Sequence, residues 1–113
     1  MAFTVIHGPD ISNGDHVVTV KVGLSLAETN SLFLSGDTIV SWPEGRLLDH
    51  RTDKTGDSAT PDDAGLVRTG MFISEIARLA QGLRIGYRQS ADAERSAQLI
   101  RLQLRKAGIE EEA

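Results

Sequence analysis

The chain of 113 residues contains no cysteine and few aromatic residues, which make up 4% of the sequence. Without thiols it can form neither disulfides nor thiolate-ligated metal sites, and its core must be built from Val, Leu, Ile and Ala. No uncharged apolar run approaches the ~20 residues that a membrane-spanning helix requires. Residues 1–5 also lack the basic and apolar regions of a signal peptide. We therefore expect a protein that is neither secreted nor membrane-bound.

Sequence motifs that mark common catalytic sites are missing as well. The chain has no H-x-x-x-H, H-E-x-x-H, G-x-G-x-x-G, Walker A or G-x-S-x-G pattern, so zinc-hydrolase, nucleotide and nucleophile-elbow chemistry have no local signature. Its three histidines, His7, His16 and His50, are scattered and are typical of turn ends or surfaces. We predict that the protein is not an enzyme, with no catalytic residue, no cofactor and no metal site.

Residues 1–50 show the sequence pattern of short β-strands. Residues 16–22 alternate apolar and polar side chains, the period of a half-buried strand. Asn13-Gly14 and Gly36-Asp37 are dipeptides that favour tight hairpin turns. The predicted strands, which would form a small, mostly antiparallel sheet or partial barrel, are residues 3–6, 16–22, 31–35, 38–42 and 46–50.

Two segments of this half lack the strand pattern. Residues 23–30 are predicted to be irregular, with one alternative: Ser25 is placed to cap a single helical turn that includes Glu28. Residues 51–60 contain no large apolar side chain and many turn formers, so a solvated connecting loop is predicted there.

Residues 60–106 carry the signals of two helices. Thr60 is a good N-cap, Pro61 is tolerated in a first turn, and the acidic residues that follow complement the helix dipole. This start predicts a helix over 61–82. Ser90 then starts a second helix over 91–106, in which Ala93, Ala97, Ile100, Leu104 and Ala107 form a narrow apolar seam.

These elements predict one α+β domain made of four consecutive parts. They are a β half over residues 1–50, a loop over 51–60, a two-helix layer over 61–107 and an acidic tail over 108–113.

Charge is divided unevenly along the chain, although the net charge is only −4. Residues 1–63 carry four basic and ten acidic residues, whereas residues 64–106 carry eight basic and three acidic ones. Such asymmetry favours an electrostatic partner. The acidic part is one such partner for the basic part, either within one molecule or between copies.

We predict a non-catalytic assembly subunit that forms homo-oligomers or binds other protein subunits. Leu99 and Leu102 widen the apolar surface of the last helix beyond its seam, and the predicted oligomer interface is Leu99, Arg101, Leu102 and Arg105. Head-to-tail contacts of this kind generate rings or tubes, as in phage virion and connector components. The expected location is therefore the cytoplasm or a virion.

DNA binding is the alternative function. Residues 73–82 resemble the first helix and turn of a helix-turn-helix unit, although the turn glycine, Gly82, comes one position later than usual. The resemblance implies that Arg84, Tyr87 and Arg88 face a DNA groove, where Arg can bond guanine and both residue types can contact phosphate.

Overall fold

The computed structural model describes residues 1–11, 14–48 and 67–112. Within them the chain forms three helices and one six-stranded, mostly antiparallel sheet, which confirms the α+β class. In chain order the elements are β1 (Ala2–Pro9), β2 (His16–Gly23), α1 (Leu26–Ser35), β3 (Ile39–Leu47), β4 (Val67–Phe72), α2 (Ile73–Arg78), β5 (Leu83–Tyr87), α3 (Ser90–Lys106) and β6 (Glu110–Glu111). The strand order across the sheet is β4-β3-β5-β2-β1-β6.

The β1–β2 hairpin confirms two of the predicted strands. The two strands pair in antiparallel register from Ala2 opposite Gly23 to Pro9 opposite His16. The amide of Asp10 donates to the carbonyl of Asp15 at 2.8 Å, which closes the connection between them. The predicted turn residues 12–13 lie outside the described residues.

The segment predicted as irregular chain and a strand is helix α1, so the predicted hairpin around Gly36-Asp37 is wrong. The Ser25 amide donates to Oε1 of Glu28 at 2.9 Å, and the Glu28 amide donates to Oγ of Ser25 at 3.1 Å. This reciprocal pair is a capping box, which satisfies two donors at the helix start. Helix therefore replaces the strand predicted over 31–35.

The structure has one strand, β3, where the sequence predicted two, over residues 38–42 and 46–50. β3 continues through residues 43–45 with a register shift between Ser41 and Gly45 in its pairing with β4. Gly45 permits this path because a Cβ there would lie 2.6 Å from Ile85 and 2.8 Å from the Tyr87 ring. Residues 49–50 lie outside the described residues.

The predicted helix over 61–82 is wrong where the structure describes it, and its start signal at 60–63 lies outside the described residues. Residues 67–72 form β4, which pairs with β3. Gly70 is a weak helix former, and in the strand it lies beside Ile39. Among the residues of this range that the structure describes, only Ile73–Arg78 are helical, and Gly82, with φ +81°, turns the chain into β5.

The second predicted helix is confirmed as α3, which crosses one face of the sheet. Its apolar seam packs against strands β1, β2, β3 and β5. A separate two-helix layer would instead require this seam to pack against the other helix. The small side chains of Ala93 and Ala97 are fully buried and allow the helix to lie close to the strands. Strands therefore lie both before residue 50, in the predicted β half, and after it, where two helices were predicted.

One hydrophobic cluster joins this face of the sheet to α2 and α3. Alternation along β1 and β2 points Phe3, Val5, Val18 and Val20 into it, while Ile6 and Lys21 lie on the opposite face. No described helix is both long and apolar enough to cross a membrane.

Candidate interaction surfaces

Helix α1 presents an apolar surface that the described part of the chain leaves exposed. The structure describes all ten of its residues and none is buried. Leu26, Phe33 and Leu34 are 79%, 74% and 84% exposed. At 100° per residue these three side chains fall within one third of the helix circumference, and we call them the α1 face.

The carboxylate of Glu28, near the start of α1, is held by contacts with Ser25 and the N-terminus. The Ser25 amide donates to the Glu28 carboxylate, and the Ser25 hydroxyl accepts from the Glu28 amide. The N-terminal ammonium lies 3.6 Å from the same carboxylate. The hydrogen bond from the Ser25 amide is the main reason that the pKa of Glu28 lies below its ordinary value. This carboxylate is held at the N-terminal end of α1, on the side of the helix away from the α1 face.

A second apolar pair lies close to the C-terminal end of α1. Ile39 and Phe72 are directly opposite each other on β3 and β4, and both side chains remain substantially exposed. Leu34 and Ile39 are five residues apart, so the chain between them spans at most about 18 Å. Ile39 and Phe72 therefore form a second exposed apolar pair, separate from the α1 face.

Helix α3 carries a narrower exposed surface on the side opposite its seam. Leu99 and Leu102 are 37% and 49% exposed, and Arg95 and Lys106 lie one turn before and after them at helical spacing. We call Arg95, Leu99, Leu102 and Lys106 the α3 ridge. Two of its members belong to the oligomer interface predicted from the sequence.

The other two members of that predicted interface, Arg101 and Arg105, contact their own chain. Arg101 Nε donates to Glu111 at 3.1 Å and its Nη2 donates to the Val5 carbonyl at 2.6 Å. Arg105 forms an ion pair with the same carboxylate. The acidic tail thus pairs with basic residues of α3 within one molecule, and β6 adds a short parallel strand beside β1.

The three residues predicted to contact DNA are not brought onto one surface. Arg84 and Tyr87 are three residues apart on β5, so they lie on opposite faces of the sheet. Arg84 pairs with Asp10 at 2.9 Å, and Tyr87 is buried. Arg88 is exposed after the end of the strand. β5 is a central strand, whereas a helix-turn-helix unit would have its second helix there.

The Tyr87 hydroxyl joins β5 to two other elements. It lies 2.7 Å from the Pro43 carbonyl and 2.9 Å from the Ser96 hydroxyl. Because a carbonyl can only accept, the phenol donates to Pro43 and accepts from Ser96. Burial raises the pKa of Tyr87, and the nearby Asp92 carboxylate acts in the same direction. Tyr87 is therefore a structural residue.

The face of the sheet opposite α3 has an open hollow of about 540 Å³ beside the Arg84–Asp10 pair. Ile6, Ile11 and Thr19 are among its lining residues. An anion that approached Arg84 would compete with the Asp10 carboxylate already bonded to it.

The described histidines are not assembled into a metal site. His7 and His16 lie on neighbouring strands of the first hairpin, while His50 is outside the described residues. No group of three or more His, Cys, Asp or Glu side chains in the described ranges could hold a metal ion.

The α1 face was missed by reasoning from the sequence because its residues were assigned to irregular chain and a strand. The Ser25-x-x-Glu28 capping box was the signal that could have revealed it. Read as a helix from residue 26, the segment places Leu26 and Phe33 two turns apart on one side.

Comparisons of the chain with protein-family models, with curated proteins and with solved structures each found no match.

Proposed function

We propose that this protein is a non-catalytic structural subunit that assembles with other copies of itself. The observation that carries the proposal is α1, a helix with no buried residue and three exposed large apolar side chains. Such a subunit would build a ring, a tube or a connector, and a virion is one setting for it.

The energetics of short helices support this proposal. An isolated helix of fewer than about 12 residues is marginal in water, and most helices gain stability by packing an apolar face. The capping box stabilises the start of α1, but the α1 face contributes nothing to folding while it is exposed. A partner that covers this face would gain apolar burial on both sides.

Light scattering tests the proposal directly. Between about 1 and 100 µM, the range expected for a small interface, we expect wild-type protein to form a discrete oligomer. Phe33→Glu should lower the mass, because a carboxylate would be placed within the apolar contact. Ser31→Glu is the matched control, since it adds the same charge on an exposed part of α1 away from the α1 face. A wild-type monomer throughout this range would refute self-association.

DNA binding remains a second proposal, supported by the exposed Arg88 and by the basic residues of α3. It predicts duplex binding at about 50 mM salt that weakens steeply as salt is added. Arg88→Ala should weaken that binding, and an absence of duplex binding in this buffer would refute the proposal.

A further inference from the structure

We infer that copies of this chain exchange their acidic tails by domain swapping, so that the tail of one copy binds between β1 and α3 of another. This inference rests on the proposed self-association and adds to it a contact that does not involve the α1 face. The residues that hold the tail, which we call the tail site, are Ala2, Phe3, Val5, Arg101 and Arg105.

The tail site binds the tail as an added strand. Ala2 and Phe3 of β1 pair in parallel register with Glu110 and Glu111. The Glu112 amide donates to the Phe3 carbonyl at 2.8 Å. These contacts use main-chain atoms, so the same strand from another copy would form them equally well.

Two side chains of the tail fit the tail site. Both carboxylate oxygens of Glu111 are bound, one by Arg101 Nε at 3.1 Å and the other by Arg105. Arg101 is itself held by the Val5 carbonyl, to which its Nη2 donates at 2.6 Å. Ile109 is 3% exposed and belongs to the hydrophobic core. The ligand of this site is therefore an extended segment with an apolar residue two positions before a carboxylate, and every copy of the chain carries one.

A single glycine joins the tail to α3. The Gly108 amide donates to the Arg105 carbonyl at 3.0 Å and the Ile109 amide to the Leu104 carbonyl at 3.1 Å, which is the Schellman arrangement of a helix end. Gly108 has φ +87°, and a Cβ there would meet no heavy atom within 4 Å. A dihedral change at this uncrowded position redirects the tail away from its own β1 and leaves α3 intact.

Swapping conserves the contacts of the tail site. The same hydrogen bonds, ion pairs and burial form whether the tail belongs to the chain itself or to another copy, so their free energies cancel. The balance is then set by the hinge and by the concentration of competing tails, because a chain presents its own tail at an effective concentration in the millimolar range. Self-association raises the local concentration of other tails towards this range. We therefore expect swapping in the assembly and not in a dilute monomer.

Disulfide trapping between two single-cysteine variants tests the inference. The chain contains no cysteine, so Ala2→Cys and Glu110→Cys each introduce the only thiol of their protein. Ala2 and Glu110 are paired across β1 and β6, and neighbouring strands lie about 5 Å apart, which a disulfide can span. Neither variant can form this bond within one chain. A mixed disulfide therefore reports a tail bound to a second copy.

We expect the oxidised mixture to yield a covalent heterodimer at concentrations where wild type assembles, as measured by mass spectrometry. Ala2→Cys mixed with Ser31→Cys is the control for accidental collision, since Ser31 is exposed on α1. Adding Glu111→Lys to the Glu110→Cys variant should lower the yield about tenfold or more, because the tail then loses its bonds to two arginines. Glu112→Lys is the matched control, because it makes the same charge change at an exposed residue, and it should retain most of the yield.

The outcomes separate the inference from the proposed function. A wild type that stays monomeric in light scattering would overturn the proposed function and the inference with it. Variants that assemble but give no more mixed disulfide than the Ser31 control would overturn the inference alone, as would a yield that Glu111→Lys leaves unchanged. Circular dichroism checks that each variant is folded. Thr4→Cys with Glu112→Cys, two positions further along both strands, provides a second pair should the first not fold.

Discussion

At the scale of single residues, Tyr87 is the side chain that connects the most elements. Its ring lies beside Gly45 of β3, and its hydroxyl bonds the Pro43 carbonyl and Ser96 of α3. The β3 path through residues 43–45 departs from regular pairing, and the phenol bonds a carbonyl in that stretch. We therefore assign Tyr87 a role in holding β3 to α3.

Replacing Tyr87 with Phe should destabilise the fold by about 1–3 kcal/mol, because the partly buried Pro43 carbonyl and the buried Ser96 hydroxyl each lose a partner. Urea denaturation followed by circular dichroism measures the change. Ser96→Ala is the comparison variant and should cost less, since the Tyr87–Pro43 bond remains. Equal stability of wild type and Y87F would contradict the assigned role.

The raised pKa of Tyr87 predicts a loss of stability in alkali. A tyrosine in an unfolded chain titrates near pH ~10. Because the folded-state pKa lies above this value, the stability that Tyr87 contributes is complete below pH ~10 and is lost as pH rises through the folded pKa. The urea midpoint of wild type should fall more between pH 9 and 11, as approximate limits, than that of Y87F. Parallel pH profiles would show that Tyr87 is not the group responsible.

At the scale of elements, local signals predicted structure well in α3 and in the β1–β2 hairpin, whose strands are neighbours in the chain. α3 was predicted almost to its bounds, because its first turn, its seam and its terminal glycine agree. β4 was predicted as helix because the start signal at residues 60–63 indicates a helix that would continue through it. Its backbone instead gains hydrogen bonds from β3, a segment more than 20 residues earlier, and no local pattern reports such a pairing.

The surface of α3 was predicted in part, because two of the four residues assigned to it are exposed and the other two bond the tail of their own chain. Leu99 and Leu102 were identified because they fall outside a seam that really is buried. Arg101 and Arg105 were assigned to the same interface because they follow the spacing of an exposed helix side. Residue spacing does not show which acidic residue a basic side chain will contact. Their partner, Glu111, lies in the tail, which returns to β1 only in three dimensions.

The two tail-binding arginines should differ in their contribution to stability. Arg101→Met should cost about 1–3 kcal/mol, because Arg101 is partly buried and also bonds the Val5 carbonyl. Arg105→Met should cost less than about 1 kcal/mol, since its side chain is more than half exposed. Thermal or urea denaturation of the two Met variants measures the difference, and the reverse order would contradict the contacts described.

At the scale of the whole molecule, part of the charge asymmetry is satisfied within one chain. Asp10 pairs with Arg84 and Glu111 with Arg101 and Arg105, so acidic and basic segments meet inside the fold. Among the described residues, the charges that remain exposed include Arg95 and Lys106 of the α3 ridge. Assembly would use this residual charge.

Salt should weaken the assembly without abolishing it. Raising the salt from about 0.05 to 0.5 M shortens the screening length from roughly 14 to 4 Å, which reduces attraction between exposed charges but leaves apolar burial intact. Light scattering across this range should show a falling oligomer mass for wild type. Arg95→Gln with Lys106→Gln should assemble more weakly and respond less to salt. An equal salt response of both proteins would show that Arg95 and Lys106 do not supply the electrostatic attraction between copies.

The pairing of β6 with β1 also has a consequence for the order in which the fold opens. β6 contributes only two residues to the sheet, and its pairing joins positions more than 100 residues apart. Such a contact brings little burial for a large loop-closure entropy, so β6 should detach while the rest of the sheet stays intact. The Glu112 amide, which bonds the Phe3 carbonyl, would then exchange its hydrogen with solvent far sooner than the amides that join β2 to β5.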